Sequence, residues 1–173
     1  MKNIQSKREV TIAVTALNAI DSPGPGVAVI RALRECNDYD LKIIGLSYEA
    51  LEPGNYMSEL VDKTYQIPYP SAGADVLLSR LMYIHRKENL SLIIPNFDAE
   101  LNNFIKISEN LESVGIATFL PTIEQLESRD KLNLFSFCKK IGLLAPPDKQ
   151  IMKVEKILDA ILFLHEDNFL SNL

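Results

Sequence analysis

"VTIAVTALNAIDSPGPGVAVIRAL", Val10 to Leu33, starts as a β-branched run, crosses a loop rich in proline and glycine, and ends in a helical pattern. Val10–Thr15 reads as a buried strand, because short β-branched runs fit the pleated interior of a sheet. From Gly26 the apolar residues Val29, Ile30 and Leu33 recur at helical spacing, with Arg31 and Arg34 facing out. A strand that feeds a helix is the first half of a βαβ unit. The rest of the chain decides whether the unit continues.

It does continue. "LKIIGLS", Leu41–Ser47, reads as a second strand, and the loop after it is centred on the Pro53-Gly54 turn signal. "KTYQIPYP" supplies a short third strand ending at Pro68. Ser71 is placed to cap a long helix with Ala74, Leu77, Leu78, Leu81 and Ile84 on one stripe. "LSLIIP", Leu90–Pro95, is the fourth strand. Asp98–Leu111 follows as a helix with Leu101, Phe104, Ile105 and Leu111 inward, and "GIATFLP" is the fifth strand. Two short helices are expected from Thr122 and from Asp130, the second closing at Gly142. Val154, Ile157, Leu158, Ile161 and Leu162 form the stripe of a last helix.

Strands alternating with amphipathic helices imply right-handed crossovers and a parallel sheet. The near-continuous apolar strands call for cover on both faces. The expectation is an α/β, doubly wound, Rossmann-like parallel sheet of about five strands, ordered 3-2-1-4-5. Ligands of such sheets bind beyond the carboxyl ends of the strands, near the switch in strand order. That directs attention to the loops after strands 1, 2 and 4.

Composition narrows the function classes. The chain has 173 residues with a net charge of −5, and no basic stripe to neutralise phosphates, so no nucleic-acid partner is expected. No stretch reaches the roughly 18 apolar residues of a membrane span. "MKNIQSKREV" lacks the apolar core of a secretory signal, so a cytoplasmic protein with no membrane partner is expected. Cys36 and Cys138, each in a helical pattern, are expected as buried, reduced thiols and not as metal ligands.

The first loop admits two readings. Gly24 and Gly26 evoke a dinucleotide fingerprint, but its third glycine is Val29 here. About ten residues separate strand from helix, which is longer than the tight turn that fingerprint needs. Pro23 and Pro25 also offer no N–H donor. What remains is a structured turn or a substrate loop. In the second case the N–H groups of Gly26 and Val27 are free to hold an anion, with Asn18, Asp21 and Ser22 adding polar contacts. The residues alone weigh these two readings equally.

"PNFDAEL" follows strand 4 at the same sheet edge. Asp98 fits a helix cap, while Asn96 and Glu100 are less fully explained by capping. In "ESRDKL", Asp130 reads as a cap, and Lys131 stands at a helix start where a cation is disfavoured. His85 and His165 read as helix-border residues. There is no Ser/His/Asp set, no H-E-x-x-H and no P-loop, so no catalytic or metal residue is nominated.

Taken together, "NAIDSPGPGVAVIRAL", "IIGLSYEALEPGNYMSELVDKTYQIPYP", "LIIPNFDAEL" and "FLPTIEQLESRDKLNLFSFCKKIGLLAPP" resemble the N-terminal, pre-ATP-grasp domain of ATP-grasp ligases, a group including biotin carboxylase and the carbamoyl-phosphate synthase large subunit. The resemblance implies ATP-dependent chemistry in which a carboxylate becomes an acyl phosphate and is attacked by an amine or similar nucleophile. It implies that Lys131, and less strongly Arg129, touches the nucleotide phosphates. It puts Asn18, Ser22, Gly24, Gly26, Asp98 and Glu100 on the substrate side, with Ala16 and Asn18 standing where glycines are common in the family. ATP and Mg²⁺ are the implied cofactors of the complete enzyme.

The expected division is a pre-ATP-grasp domain over residues 9–147 and a C-terminal helical segment over residues 148–173, the start of a missing ATP-grasp region. The second nucleotide lysine, the Gly-rich loop and the Mg²⁺ ligands of that region are not in the sequence. The chain alone is therefore expected to be catalytically incomplete, either excised or truncated. Its expected partners are a small-molecule substrate and an ATP-grasp domain in the same or another chain, with self-association into a homodimer also open. The alternative is a stand-alone module that binds a small molecule or a protein without catalysis.

Overall fold

The computed structural model describes residues 7–19, 23–128, 130, 133–145 and 151–166. The chain divides into two compact units, Met1–Leu120 and Pro121–Leu173.

The first unit is built on five parallel strands: β1 (Arg8–Val14), β2 (Tyr39–Ser47), β3 (Lys63–Gln66), β4 (Leu92–Ile94) and β5 (Ala117–Thr118). Their order is β3-β2-β1-β4-β5, as the sequence predicts. The registers Ile12↔Ile43 and Ala13↔Ile44 keep alternate side chains of β1 and β2 on common faces. One face carries Ile12, Val14 and Ile43, packed with Ile30 of α1 (Pro25–Arg34). The other carries Ala13, Ile44 and Leu46, packed with Leu77, Leu81 and Ile84 of α2 (Ala74–Glu88) and Phe104 and Leu111 of α3 (Asp98–Ser113). The alternation is the sheet period at work: β1 and β2, at the centre of the order, bury both sides because a helix covers each side.

The helix ends follow local chemistry, with two departures from expectation. Pro25 opens α1, where its missing N–H is no loss, and Arg31 and Arg34 close it on the favourable side of the dipole. Ser71 does not cap α2. It lies in a 3₁₀ turn, Pro70–Ala72, and Gly73 takes the cap position with φ +92°, a conformation serine disfavours. Asn89 ends α2 in the left-handed region, which asparagine tolerates. Cys36 lies just past α1 and is half-buried, as is Cys138, so neither thiol is the fully buried group expected; both are free.

Glu88, the last residue of α2, has a carboxylate at the end of the helix that the dipole disfavours. Lys42 of β2 and Lys63 of β3 offset this with contacts of 2.9 and 2.6 Å, and the Tyr65 hydroxyl donates as well. The hydrogen bonds from Lys63 and Tyr65 hold the Glu88 carboxyl down at about 2. The junction fastens α2 to two strands at once.

The second unit contains α4 (Ile123–Ser128), α5 (Leu134–Lys140) and α6 (Ile157–Glu166). Thr122 and Gln125 cap α4 reciprocally, Oγ1 accepting the Gln125 N–H at 3.1 Å and Oε1 accepting the Thr122 N–H at 2.9 Å. The helix expected from Asp130 starts later, at Leu134. Asn133 takes the cap position, and its N–H goes to the Asp130 carbonyl at 2.8 Å. Gly142, at φ +74°, follows α5 as expected, and the Leu143 N–H returns to the Cys138 carbonyl at 2.9 Å. Among the described residues no helix is long and apolar enough to cross a membrane.

Candidate functional site

The carboxyl ends of β1, β2 and β4 meet at one edge of the sheet, and their loops are joined there by a single side chain. Glu100, in the first turn of α3, is 1% exposed. Its Oε1 accepts the Thr15 hydroxyl at 2.5 Å, the Asn96 N–H at 2.9 Å and the Phe97 N–H at 3.0 Å. Its Oε2 accepts the hydroxyl of Tyr48. Thr15 follows β1, Tyr48 follows β2, and Asn96 and Phe97 follow β4, so one carboxylate collects donors from all three loops. Burial pushes the Glu100 carboxyl up, and the four donors oppose that by favouring its charged form. Tyr48 is pushed far up as well, first by burial and then by the Glu100 charge beside it.

The same junction sets the backbone. Thr15 Oγ1 also accepts the Asn96 N–H at 2.8 Å, and the Asn96 amide donates to the Ile94 carbonyl at 2.9 Å. Phe97 precedes α3 at the cap position, where the Glu100 carboxylate reaching back to its N–H is half of a capping box. Asp98 is the first residue of α3 and is exposed there.

The first loop folds onto itself. The Gly24 N–H goes to the Asn18 carbonyl at 2.6 Å, the Gly26 N–H to the Ala16 carbonyl at 3.1 Å, and the Val27 N–H to the Gly24 carbonyl at 3.2 Å. The expectation that the Gly26 and Val27 amides are free for an anion is therefore corrected: the loop's own carbonyls use them. This close approach is why both residues are glycine. A Cβ on Gly26 would lie 1.9 Å from the Thr15 carbonyl oxygen, and one on Gly24 would lie 2.3 Å from that of Ala16. Ala16 itself sits at φ +62°, a left-handed conformation in the position where the family resemblance suggests glycine. Leu17 is fully buried over Gly45 and beside Gly54, whose N–H donates to the Leu17 carbonyl at 3.0 Å.

The nominated residues thus fall into two groups and a remainder. Asn18 and Gly24 lie in the first loop and Gly26 in the first turn of α1 after it, with Asn18 half-buried. Asp98 and Glu100 lie at the start of α3, the first exposed and the second enclosed. Ser22, Arg129 and Lys131 lie outside the described residues. Sequence reading missed Thr15 and Tyr48. A signal for Tyr48 exists: "YEALE" places Tyr48, Glu49 and Glu52 directly after an apolar strand, at the edge where ligands bind.

Tyr48 lies under an aromatic cover. Its ring stacks on Tyr69 at 5.5 Å and 17°, and Phe97 leans on it at 6.4 Å and 55°. The Tyr69 hydroxyl donates to the Glu49 carboxylate, which pushes Tyr69 up. Among the described residues, no group of three or more His, Cys, Asp or Glu could hold a metal ion.

No protein-family model and no curated protein sequence matches the chain. Solved structures do. The biotin carboxylase domain of a single-chain bacterial carboxylase superposes with a TM-score of 0.55 at 13% identity, over 92% of this chain and 34% of the other. The biotin carboxylase subunit of pyruvate carboxylase gives 0.50 at 19%, over 90% of this chain and 33% of the other. Pyruvate carboxylase from Rhizobium etli gives 0.54 at 12%, over 90% of this chain and 15% of the other. The chain spans about a third or less of the solved chains it matches. At these identities the likeness is one of fold: this chain carries the α/β fold of the N-terminal region of biotin carboxylase domains.

Proposed function

We propose that this chain is the substrate-side domain of an ATP-dependent carboxylate ligase and is catalytically incomplete alone. The observation that best supports this reading is the Glu100 junction, which fixes the loops after β1, β2 and β4 at the edge where doubly wound sheets bind ligands. The fold likeness to biotin carboxylase domains supports the reaction class.

ATP, when bound in a complete enzyme, supplies the phosphoryl group that activates the carboxylate. The described residues do not fit a nucleotide or a metal by themselves. The first-loop amides are paired internally, and no described cluster of carboxylates and imidazoles suits Mg²⁺. The role left to this chain is to position and enclose the acceptor. In this reading Asn18 and Asp98 face the substrate, together with Ser22. Gly24 and Gly26 shape the wall, and Glu100 holds the wall in register. Lys131, and less strongly Arg129, is proposed for the nucleotide phosphates on the family resemblance.

The test is amide NMR of the full chain titrated with bicarbonate, acetate and succinate. Shifts are expected at Asn18, Asn96 and Asp98, without ATP. Shifts confined to the opposite sheet edge, or no saturable shift with any of the three, would overturn the assignment of this edge.

A further inference from the structure

Two arginines of the first unit are held in contrasting ways. Arg34, at the end of α1, uses its whole head: Nε donates to the Leu60 carbonyl at 2.8 Å, Nη1 to the Leu41 carbonyl at 3.2 Å and Nη2 to the Asp62 carboxylate at 2.8 Å. Arg80, in the middle of α2, is held on several sides but uses one group. Its Nε donates to the Gln66 carbonyl at 2.8 Å. Its guanidinium carbon lies 5.9 Å from the ring centre of Tyr65 and 5.2 Å from that of Tyr83. Among the described residues no acceptor meets its Nη1 or Nη2, and no carboxylate pairs with its charge.

Fixing a long side chain costs rotamer entropy, and here two rings and a carbonyl offset that cost without engaging the fork. What remains is a pre-set guanidinium whose free N–H groups match a carboxylate or phosphate in two bonds.

This head stands beside a groove. Gln66, Ile67, Pro68, Val76 and Arg80 line a shallow cavity of about 380 Å³ between the end of β3 and α2. Arg80 is half-buried and Val76 is 51% exposed, so a ligand in solution reaches both. Ile67, Pro68 and Val76 make the wall apolar, and the size suits a small molecule.

Charge and wall together select the ligand. Lys63, over the same Tyr65 ring at 5.3 Å, is already paired with Glu88 at 2.6 Å. Arg80 is therefore the unpaired cation among the described residues of this junction. One guanidinium matches a monoanion, whereas a phosphate dianion calls for a further donor. The apolar wall favours an aliphatic stem over a bare ion. None of the residues nominated for the acceptor lines this groove.

We propose that the groove between β3 and α2 binds a short aliphatic monocarboxylate, its two oxygens on the Arg80 fork and its stem along Ile67, Pro68 and Val76. This goes beyond the ligase reading and does not rest on it.

The test is NMR and calorimetric titration of the full chain with pentanoate. Pentanol, pentylammonium and inorganic phosphate serve as controls. Saturable binding with a dissociation constant on the order of 1 mM is expected, with shifts at Gln66, Ile67, Val76 and the Arg80 side chain. Arg80→Gln, which removes the charge, should weaken it about tenfold. Arg80→Lys, which keeps the charge and loses the fork, should recover only part of that loss. Val76→Asp puts an acid in the first turn of α2, where the helix dipole favours it, and should weaken binding about tenfold by repelling the anion. Circular dichroism checks folding; should an Arg80 variant fail to fold, Val76→Asp and the wild-type shift map decide. The proposal is overturned by absence of saturable binding, by unchanged affinity in folded variants, by equal binding of pentanol or pentylammonium, or by phosphate binding more tightly at the same residues. Pentanoate shifts at Asn18, Asn96 and Asp98 alone would remove this groove and leave the ligase reading standing. Shifts at the groove alone, with that edge silent to bicarbonate, acetate and succinate, would do the reverse.

Discussion

The Thr15 hydroxyl donates to the Glu100 carboxylate at 2.5 Å, joining residues 85 positions apart in the chain. With Tyr48 on the other oxygen, this contact makes one buried acid the fastening of three loops. The register of the candidate site depends on it.

Glu100→Ala leaves the Thr15 and Tyr48 hydroxyls and the Phe97 amide without their acceptor, while the Asn96 amide keeps Thr15 Oγ1. Orphaned buried donors cost about 1–3 kcal/mol each, though some will find water, so a net loss of about 3 kcal/mol is expected in urea unfolding. Glu100→Gln keeps an acceptor oxygen and removes a charge that burial disfavours, and should lose about 1 kcal/mol. Equal losses would show that the carboxylate does not organise these loops.

Gly26→Ala places a Cβ 1.9 Å from a backbone oxygen, which cannot swing aside as a side chain would. Gly115, at φ +85° with open space around it, carries only backbone strain. Thermal denaturation should show Gly26→Ala losing about 3 kcal/mol or failing to fold, against about 1 kcal/mol for Gly115→Ala. The reverse ranking would contradict the folded-back first loop.

Glu88 gives a pH signature. Its folded pKa is lowered to about 2, so its contribution is present above the unfolded carboxylate range and is lost as pH falls from about 4.5 toward 2. The wild type should exceed Glu88→Gln by about 2 kcal/mol at pH 7, and the gap should close over that acid range. Glu100, pushed the other way, cannot produce this loss: protonating it relieves a burial penalty. A gap that persists at pH 2 would remove Glu88 as its source.

The strand order was legible because the apolar runs and helical stripes are local signals, and parallel crossovers leave few ways to arrange them. Gly24 and Gly26 were legible as special, but their reason was not. Their Cβ clashes are with Thr15 and Ala16, about ten residues earlier, and only the closed loop brings these together. Glu100 was legible as unexplained by capping alone, whereas its partners Thr15 and Tyr48 come from strands that only the fold makes neighbours. Ser71 misled because a serine before a helix is the usual cap signal, and the 3₁₀ turn through Pro70 moved the start to Gly73.

In the proposed function this chain holds the acceptor side of a ligase and does not turn over by itself. ADP release from ATP and Mg²⁺ is measured over a panel of carboxylates and bicarbonate, by the chain alone and paired with an ATP-grasp domain supplied in the same or another chain. No ADP is expected from the chain alone, and carboxylate-dependent ADP is expected from the pair. Robust turnover by the chain alone, or a pair that stays silent over the whole panel, would contradict it.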